Sequence, residues 1–255
     1  MSGSLDGRTV IVTGGTKGIG RAAALTLARE GAHVVMTGRD AKGGGETARL
    51  VKEAGFDSIY LSHDVTSEDD WERVVGEAEA KFGELRALVN NAGVFFVKPL
   101  AETTEEDFDF AYSVNVEGTF LGMKHALRAF ARGKSPGSIV NVSSLMGQVG
   151  FPNAVAYWAS KVAITSMTKA AALEGAAMTP KVRVNSLHPG VIWTPMITDT
   201  FGDNQGLSDA VAADTPLRII GRPEYIADAI HYLVSDESSY VTGAELTVDG
   251  GRGAD

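Results

Sequence analysis

Tyr157 and Lys161 are four residues apart in the run Tyr157-Trp-Ala-Ser-Lys161. On a helix, residues at i and i+4 share one face, with Cβ atoms roughly 5–6 Å apart. An ammonium group at that distance favours phenolate and lowers the tyrosine pKa from about 10 towards neutrality. Such a phenol can donate a proton to a ketone oxygen or accept one from an alcohol. The alternative is an ordinary Tyr–Lys pair on a helix surface.

A glycine-rich turn follows the apolar run at residues 9–13, with glycines at Gly14, Gly18 and Gly20. A strand that leads into a helix through glycines directs backbone N–H groups and the positive helix end to one point, which suits a diphosphate. We expect Gly14 to permit the tight turn, Gly18 to admit the phosphate and Gly20 to let helix and strand touch. The spacing differs from the usual G-x-G-x-x-G, so a turn that merely needs glycine is the alternative.

The residues after the second predicted strand indicate which nucleotide binds. An NAD enzyme usually carries Asp or Glu there, whereas this chain has Gly38 followed by Arg39. A carboxylate would repel a 2′-phosphate, while Arg39 can bind it through two hydrogen bonds and Lys17 adds a second cation. This pattern favours NADP(H). Solvated surface charges are the alternative for both cations, and Asp40 is near enough in sequence to reach the ribose instead.

The composition limits the remaining classes of function. The 255 residues are 44% hydrophobic, which suits one α/β domain over residues 1–255 with a full core. A net charge of −9 argues against nucleic acid or an anionic membrane as the main partner. The chain has no cysteine and its five histidines are scattered, so we predict no metal site. No signal-like N-terminus and no apolar run of roughly 20 residues is present, which predicts a cytoplasmic protein.

Strand-like and helix-like segments alternate along the whole chain. Strands are predicted at 9–13, 33–37, 58–62, 87–90, 138–142, 182–187 and 245–248, and helices at 19–30, 46–54, 67–82, about 104–132, 154–178 and 222–235. Continuous apolar strands imply burial on both faces, hence a parallel sheet covered by helices. We therefore predict a single-domain α/β Rossmann fold with a doubly wound parallel sheet. The least regular stretch, about 193–218, is predicted to be a substrate lid.

With these motifs in order, the chain resembles the short-chain dehydrogenase/reductase family from near Leu5 to Gly251. The motifs that carry the resemblance are Thr13-Gly-Gly-Thr-Lys-Gly-Ile-Gly20, Asp64-Val65, Asn90-Asn-Ala-Gly93, Asn115, Ser143-Ser144, Tyr157 with Lys161, Val184-Asn-Ser-Leu-His-Pro-Gly190 and Asp249-Gly-Gly251. So many ordered motifs leave little room for coincidence. The resemblance implies a nicotinamide-dependent oxidoreductase.

The resemblance also implies roles for matching residues. Tyr157 would be the acid/base, Lys161 would hold the nicotinamide ribose, Ser144 rather than Ser143 would hydrogen-bond the substrate oxygen, and Asn115 would anchor a water in a proton relay. The implied cofactor-binding residues are Gly14, Thr16, Lys17, Gly18, Ile19, Gly20, Arg39, Asp64, Val65, Asn91, Ala92, Gly93, Tyr157, Lys161, Pro189, Gly190, Val191, Ile192 and Thr194. Two alternatives stay open: Asn91 as mere support for a turn, and Asp64 as a turn cap.

The substrate is less clearly indicated. Candidate pocket residues are Phe95, Phe96, Met146, Val149, Asn153, Trp193, Met196 and Phe201, most of them apolar and several equally explained as core. The segments 170–176 and 188–196 look most like bacterial secondary-alcohol and hydroxysteroid dehydrogenases. The C-terminal residues 251–255 do not clearly reproduce the intersubunit magnesium site of R-specific alcohol dehydrogenases. We therefore do not predict a magnesium site from the resemblance.

These observations predict an NADP(H)-dependent enzyme that reversibly reduces a small apolar ketone to a secondary alcohol. The nearest alternative is a 3-oxoacyl-[acyl-carrier-protein] reductase, which shares the catalytic motifs. A basic patch beside the active site would support this alternative, because the carrier protein is acidic, but the cations near the cleft are scattered. A catalytically silent NADP(H)-sensing protein is the alternative from another class, and a sensor needs no proton relay. Small and apolar residues on the two long helices, together with the resemblance, predict a homotetramer, with a dimer as the alternative.

Overall fold

The computed structural model describes residues 3–254, so Met1, Ser2 and Asp255, at the ends of the predicted domain, lie outside the described residues. Within that range one parallel sheet is formed by β1 (Thr9–Thr13), β2 (His33–Gly38), β3 (Ser58–Ser62), β4 (Leu85–Asn90), β5 (Gly137–Val142), β6 (Val182–Pro189) and β7 (Glu245–Val248). The strand order is β3-β2-β1-β4-β5-β6-β7. The order reverses direction between β1 and β4, which confirms the predicted doubly wound Rossmann fold.

The helices connect these strands. They are α1 (Gly18–Arg29), α2 (Ala41–Glu53), α3 (Glu68–Phe82), α4 (Glu105–Tyr112), α5 (Gly118–Arg132), α6 (Val155–Ala177), α7 (Pro195–Phe201), α8 (Gln205–Ala213) and α9 (Pro223–Val234). Helix α3 begins as its sequence predicts, because the Ser67 side chain accepts from the Asp70 backbone N–H and three acidic residues occupy the first turn.

Alternate strand residues contribute to two separate cores. Val10 and Val12 on β1 belong to the core beneath α1, α2 and α9, while Ile11 between them belongs to the core beneath α3, α5 and α6. The largest fully buried side chains include Trp71 and Phe130, both in the second core. Both faces of the sheet are therefore covered, and the ligand-binding edge is left at the carboxyl ends of the strands.

Helix α2 begins at Ala41, five residues before the predicted start at Glu46. The glycines at 43–45 move the predicted start of this helix to Glu46, because glycine is a poor helix former. In the structure the Asp40 side chain caps this helix by accepting from the Gly43 N–H at 2.9 Å. Gly44 lies against the Tyr60 ring, where a Cβ would overlap it. Gly44 thus serves close packing on β3 rather than a loop.

The predicted helix at about 104–132 is interrupted. A π-helical turn at residues 113–117 separates α4 from α5, and it contains Asn115. Neither glycine nor proline within this turn announces the change in the sequence. The predicted irregular segment at 193–218 contains the two short helices α7 and α8, so it is more ordered than expected. Its role as a lid stays a prediction.

Among residues 3–254, no helix combines the length and apolarity required to cross a membrane.

Candidate active site

The glycine turn between β1 and α1 has the backbone that the sequence requires. Gly14 and Gly18 have φ values of +64° and +53°, which favour glycine. A Cβ on Gly14 would lie 2.9 Å from Asn91 Nδ2, and one on Gly20 would overlap the Gly14 carbonyl. Gly14 therefore permits the turn, and Gly20 permits the contact of helix with strand. A Cβ on Gly18 would lie 3.3 Å from Thr194, so the turn faces the segment after β6.

The hydroxyl of Thr13 joins the glycine turn to the segment after β4. It accepts from the backbone N–H groups of Asn91 and Ala92, both at 3.0 Å, and the Asn91 amide donates to the Thr13 carbonyl at 2.9 Å. Asn91 thus supports the turn, which is the alternative that the sequence left open. Thr13 is buried, and nothing in the sequence beyond its place in a motif indicates this bridging role.

The residues expected at the 2′-phosphate differ in what they contact. Arg39 is exposed, and Lys17 Nζ lies 3.8 Å from an Asp199 carboxylate oxygen on α7. Gly38 has no acidic side chain, and a Cβ there would lie 3.0 Å from Thr16 Cγ2. Asp40 is engaged as the cap of α2. The Asp40 carboxylate, which the sequence leaves as an alternative contact for the ribose, is therefore hydrogen-bonded to the backbone of α2.

Asp64 and Val65 follow β3. The Asp64 carboxylate accepts from the backbone N–H of Thr66 at 3.0 Å and from its hydroxyl at 2.9 Å. These hydrogen bonds, with a smaller contribution from Arg39, hold the pKa of Asp64 below its usual value. Asp64 therefore caps a turn, as the alternative proposed, and its contact with adenine stays a prediction. Val65 is buried against Gly118, and its carbonyl accepts from Trp71 Nε1 at 2.9 Å.

Tyr157 and Lys161 lie on the first turns of α6. Lys161 Nζ lies 5.4 Å from the centroid of the Tyr157 ring and donates to the Val142 carbonyl at 2.9 Å. Burial raises the pKa of Tyr157 to about 12, with the Ser144 hydroxyl acting in the opposite direction. Burial also lowers the pKa of Lys161 to about 8. The lowered tyrosine pKa expected from the sequence is thus absent from this arrangement, because removal from water disfavours the charged form of both groups.

Asn115 projects from the π-helical turn towards two other segments. Its side-chain oxygen accepts from Val94 N at 2.8 Å, while its side-chain nitrogen donates to Val94 O at 3.1 Å and to Ser160 Oγ at 2.9 Å. A Cβ on Gly93 would lie 3.1 Å from Asn115 Oδ1 and 3.7 Å from Lys161 Nζ. Asn115, Gly93 and Lys161 are therefore neighbours. The sequence did not single out Ser160, which ties Asn115 to α6.

The two serines after β5 have different surroundings. Ser143 is buried, and its hydroxyl donates to the Lys161 carbonyl at 2.9 Å. Ser144 is half-buried, and its hydroxyl accepts from Met146 N at 3.1 Å. The carbonyl of Ser144 lies 2.9 Å from Nδ1 of His188, a fully buried side chain on β6. In the sequence His188 is one residue of a longer motif, and no pattern there indicates this contact.

The segment after β6 is held by backbone hydrogen bonds to its neighbours. Gly190 N donates to Val248 O at 3.0 Å, Trp193 N to Gly221 O at 2.8 Å, and Gly221 N to Val191 O at 3.2 Å. Pro189 and Ile192 are buried. Residues Gly190, Val191 and Ile192 also line a cavity of about 400 Å³ with Leu217, Ile219 and Tyr225. Tyr157 is not among the residues lining this cavity.

Aromatic side chains cover one side of Tyr157. The Phe95 ring meets the Tyr157 ring edge-on with centroids 4.8 Å apart, and Phe201 of α7 lies 6.0 Å from Phe95. Asn153 has a left-handed backbone with φ +62°, and its carbonyl accepts from Lys98 N at 2.7 Å, which gives it a structural role. The remaining predicted pocket residues lie on segments after the strands: Phe96 after β4, Met146 and Val149 after β5, and Trp193 and Met196 after β6.

The cleft at the carboxyl ends of β1 and β4 fits a nicotinamide dinucleotide. Gly14 and Gly20 lie at this cleft, and neither position has room for a side chain. The backbone N–H groups at the start of α1 suit a diphosphate. Within the part of the chain that the structure describes, no group of three or more His, Cys, Asp or Glu side chains could hold a metal ion.

Comparison with known proteins agrees with this geometry. Residues 14–252 match the family model described as enoyl-(acyl carrier protein) reductase. The chain belongs to the short-chain dehydrogenase/reductase family. Members of this family are oxidoreductases that use a nicotinamide cofactor.

Among its relatives in the short-chain dehydrogenase/reductase family, the chain is 42% identical over 252 residues to the NADP-dependent (R)-specific alcohol dehydrogenase of Lentilactobacillus kefiri, covering 98% of both chains. It is 40% identical over 249 residues to a cyclopentanol dehydrogenase of a Comamonas species, again over 98% of each. It is 36% identical over 252 residues to a 3beta-hydroxysteroid dehydrogenase of Eggerthella lenta, with 98% and 95% covered. All three names describe dehydrogenases, in agreement with an enzyme of this family.

Proposed function

We propose that this protein interconverts a ketone and a secondary alcohol with NADP(H), using Tyr157 as the acid/base. The observation that carries the proposal is the convergence of Ser144, Tyr157 and Lys161 where β5 ends and α6 begins, with Lys161 Nζ 5.4 Å from the Tyr157 ring. Gly93, beside the glycine turn, lies against the same lysine. The alcohol and hydroxysteroid dehydrogenases among the relatives support this substrate class.

Each side chain has a role in moving or holding the proton. When bound, the nicotinamide supplies a hydride to the carbonyl carbon or accepts one from the alcohol carbon. The Tyr157 hydroxyl donates its proton to the carbonyl oxygen during reduction and takes it back during oxidation. The Ser144 hydroxyl donates a hydrogen bond to the same oxygen, and the Lys161 ammonium stabilises the phenolate. Asn115, next to Lys161, anchors the water that returns the proton from solvent.

The proposed preference for NADP(H) rests on Gly38, Arg39 and Lys17. Gly38 leaves no carboxylate to repel a 2′-phosphate, and Arg39, which is exposed, can bind that phosphate through two hydrogen bonds. Asp40 is occupied as the cap of α2, which argues against a competing contact with the ribose. The glycine turn, the segment 91–93 and the segment 189–194 would hold the rest of the cofactor.

An apolar substrate suits the aromatic cover on Tyr157. Phe95 and Phe201 offer no charge, which favours a small apolar ketone over an acidic one. A 3-oxoacyl-[acyl-carrier-protein] reductase is the second candidate, because it would use the same Ser144, Tyr157 and Lys161; the matching family model is described as an enoyl-(acyl carrier protein) reductase, whose reaction reduces a carbon–carbon double bond instead. Two cations near the cleft have acidic partners, since Lys98 pairs with Asp107 and Lys17 lies 3.8 Å from Asp199. These pairs reduce the basic character that an acidic carrier protein would need.

We also propose that residues 193–218 act as a lid, because a Cβ at Gly18 would contact Thr194 and because Lys17 approaches Asp199 on α7. A homotetramer is proposed from exposed apolar side chains on the helices α4, α5 and α6. These side chains are Phe108, Phe110, Tyr112, Phe120, Val162 and Leu173. Light scattering should give four times the 26.8 kDa chain mass, and a monomer at micromolar concentration would contradict both the tetramer and the dimer. The cytoplasmic location stays a prediction from the sequence.

A panel of ketones and alcohols, followed by NADPH absorbance, tests the function. The expected result is turnover of small apolar ketones and of the matching secondary alcohols. Turnover of 3-oxoacyl thioesters with no simple ketone accepted would favour the acyl-carrier alternative, and consumption of NADPH with only enoyl thioesters would indicate reduction of a carbon–carbon double bond. Tight NADPH binding without turnover of any of these substrates would indicate a silent sensor.

A further inference from the structure

His188 is fully buried on β6, and both of its ring nitrogens have partners. Nδ1 lies 2.9 Å from the Ser144 carbonyl, and Nε2 lies 2.9 Å from the Ser186 hydroxyl. A carbonyl oxygen can only accept, so Nδ1 carries the hydrogen, and in the neutral ring Nε2 accepts from the Ser186 hydroxyl, for which the Ala244 carbonyl at 3.4 Å is the more distant acceptor. Burial lowers the pKa of His188 and so favours the neutral ring, against the opposing effects of the Ser144 carbonyl and of the Glu245 carboxylate 3.9 Å from Nε2. The imidazole is therefore held in one tautomer with its donor directed at Ser144.

The Ser144 carbonyl receives two hydrogen bonds of different origin. One comes from Gly147 N at 2.8 Å, within the same short turn, and therefore moves with the segment. The other comes from His188, forty-four residues away in the sequence, and ties the segment to the sheet. At the far end of the turn, Gln148 donates to Glu245 at 3.0 Å and accepts from Thr247 at 3.1 Å. Residues 144–148 are thus attached to β6 at one end and to β7 at the other.

We propose that His188 is a positioning residue that fixes the main chain of Ser144, and through it the direction of the Ser144 hydroxyl towards the substrate oxygen. This inference rests on the function proposed above, in which Ser144 hydrogen-bonds that oxygen. A planar, buried ring with a fixed tautomer holds the carbonyl more rigidly than a flexible side chain would. Displacement of a positioning group by about 1 Å can cost on the order of 100-fold in rate.

Two substitutions separate the donor at Nδ1 from the rest of the ring. His188→Asn places its amide nitrogen near the position of Nδ1 and can still donate to Ser144, whereas His188→Gln reaches only the position of Nε2 near Ser186. We expect His188→Gln to lower kcat for ketone reduction about 10-fold or more, with KM for NADPH within about 2-fold. His188→Asn should stay within about 3-fold of wild type. Equal losses in both variants, or more than half of the activity in His188→Gln, would overturn the proposal.

A double-mutant comparison isolates the route through Ser144. In a Ser144→Ala background, the hydroxyl that His188 positions is gone, so His188→Gln should change the residual kcat by less than about 2-fold. A further 10-fold loss in that background would mean that His188 acts on something other than Ser144. Thermal unfolding of each variant separates loss of folding from loss of positioning.

Two measurements do not depend on activity. The ¹⁵N spectrum of the wild-type protein should show His188 with hydrogen on Nδ1, and a ring protonated on Nε2 alone would contradict the proposal even if no variant folds. Crystal structures should show Ser144 Oγ unmoved in His188→Asn and displaced in His188→Gln. If the wild type turns over no ketone, the proposed function fails, while the spectrum and the two structures still decide whether His188 positions Ser144.

Discussion

Lys161 Nζ lies 5.4 Å from the centroid of the Tyr157 ring, and burial moves the pKa values of the two groups in opposite directions. The tyrosine is held as a neutral phenol, since its pKa is raised to about 12, while the pKa of the lysine falls to about 8. At neutral pH the pair thus consists of a phenol with its proton and an ammonium that is close to losing its own. This state is ready to donate a proton to a carbonyl oxygen.

The pH dependence of the two directions follows from these values. Reduction needs the phenol and the ammonium, so kcat/KM for ketone reduction should be level through neutral pH and fall above about pH 8, where Lys161 loses its proton. Oxidation needs the Tyr157 phenolate and the Lys161 ammonium together, so kcat/KM for the alcohol should rise with pH up to about 8 and level off above it, where loss of the ammonium offsets the gain in phenolate. Profiles from pH 6 to 10 in both directions check this. A reduction rate that rises between pH 8 and 10 would contradict it.

Tyr157→Phe keeps the ring that packs against Phe95 and removes the transferable proton. We expect kcat to fall on the order of 10²–10⁴-fold, the usual size of general acid catalysis. Tyr240→Phe is the matched control, because Tyr240 is fully exposed and should keep wild-type activity. Retention of more than a tenth of the turnover in Tyr157→Phe, with chemistry rate-limiting, would exclude Tyr157 as the acid/base.

Gly38→Asp tests the proposed recognition of the 2′-phosphate by Arg39 and Lys17. A charge-assisted arginine–phosphate contact contributes roughly 1.5–3 kcal/mol, or about 10- to 150-fold in kcat/KM, and the new carboxylate should oppose it. Gly38→Ala is the matched control, because both variants bring a Cβ to 3.0 Å from Thr16 Cγ2 and only one adds charge. Relative to the alanine variant, Gly38→Asp should lower kcat/KM for NADPH and raise it for NADH. Equal NADPH and NADH values in the wild type would refute the cofactor proposal.

Asp40→Ala tests the alternative that Asp40 contacts the ribose. Its side chain caps α2 through Gly43 N, and loss of such a cap costs about 1 kcal/mol of the free energy of unfolding. We expect this loss of stability with an unchanged ratio of kcat/KM for NADPH and NADH. A changed ratio at unchanged stability would mean that Asp40 contacts the cofactor.

His63 should make the stability of the protein dependent on mildly acid pH. The ring is buried, its Nδ1 lies 2.9 Å from Thr37 Oγ1, and burial lowers its pKa to about 4 from an ordinary value of 6.5. The unfolded chain therefore binds a proton that the folded chain rejects, so stability is fully present above pH 6.5 and falls as the pH drops towards 4. The loss amounts to roughly 3 kcal/mol.

Urea unfolding between pH 4 and 7 measures this dependence. Asp64 and Asp70 lie nearby with lowered pKa values, so the comparison with His63→Asn isolates the histidine. The variant should lose most of the slope between pH 6.5 and 4. An equal slope in the variant and the wild type would assign the effect to other groups.

The order of the elements and the parallel sheet could be predicted because buried strands such as His33–Gly38 are continuously apolar at their centres. The start of α2 could not, because Gly44 in its first turn is required by the ring of Tyr60 on another strand. In the candidate site, too, features set by residues close in sequence could be predicted, and contacts between distant segments could not. Tyr157 and Lys161 are close in sequence and share a helix face, whereas the contact of His188 with Ser144 depends on two neighbouring strands ending at the same edge.

The π-helical turn at residues 113–117 has a consequence for deletions and insertions. A π-helical turn contains about one residue more than an α-helical turn, so this helix holds a surplus residue at Asn115. Removing one residue from the turn would let the backbone relax into a continuous α-helix. Because the wide turn absorbs its extra residue locally, α4 and α5 would keep about their present relation, and the side chains of the turn would change direction. Asn115 would then lose its partners on Val94 and Ser160, although every individual helix remained intact. A one-residue deletion in this turn would therefore keep both helices and remove the contacts that Asn115 makes with the segment after β4 and with α6.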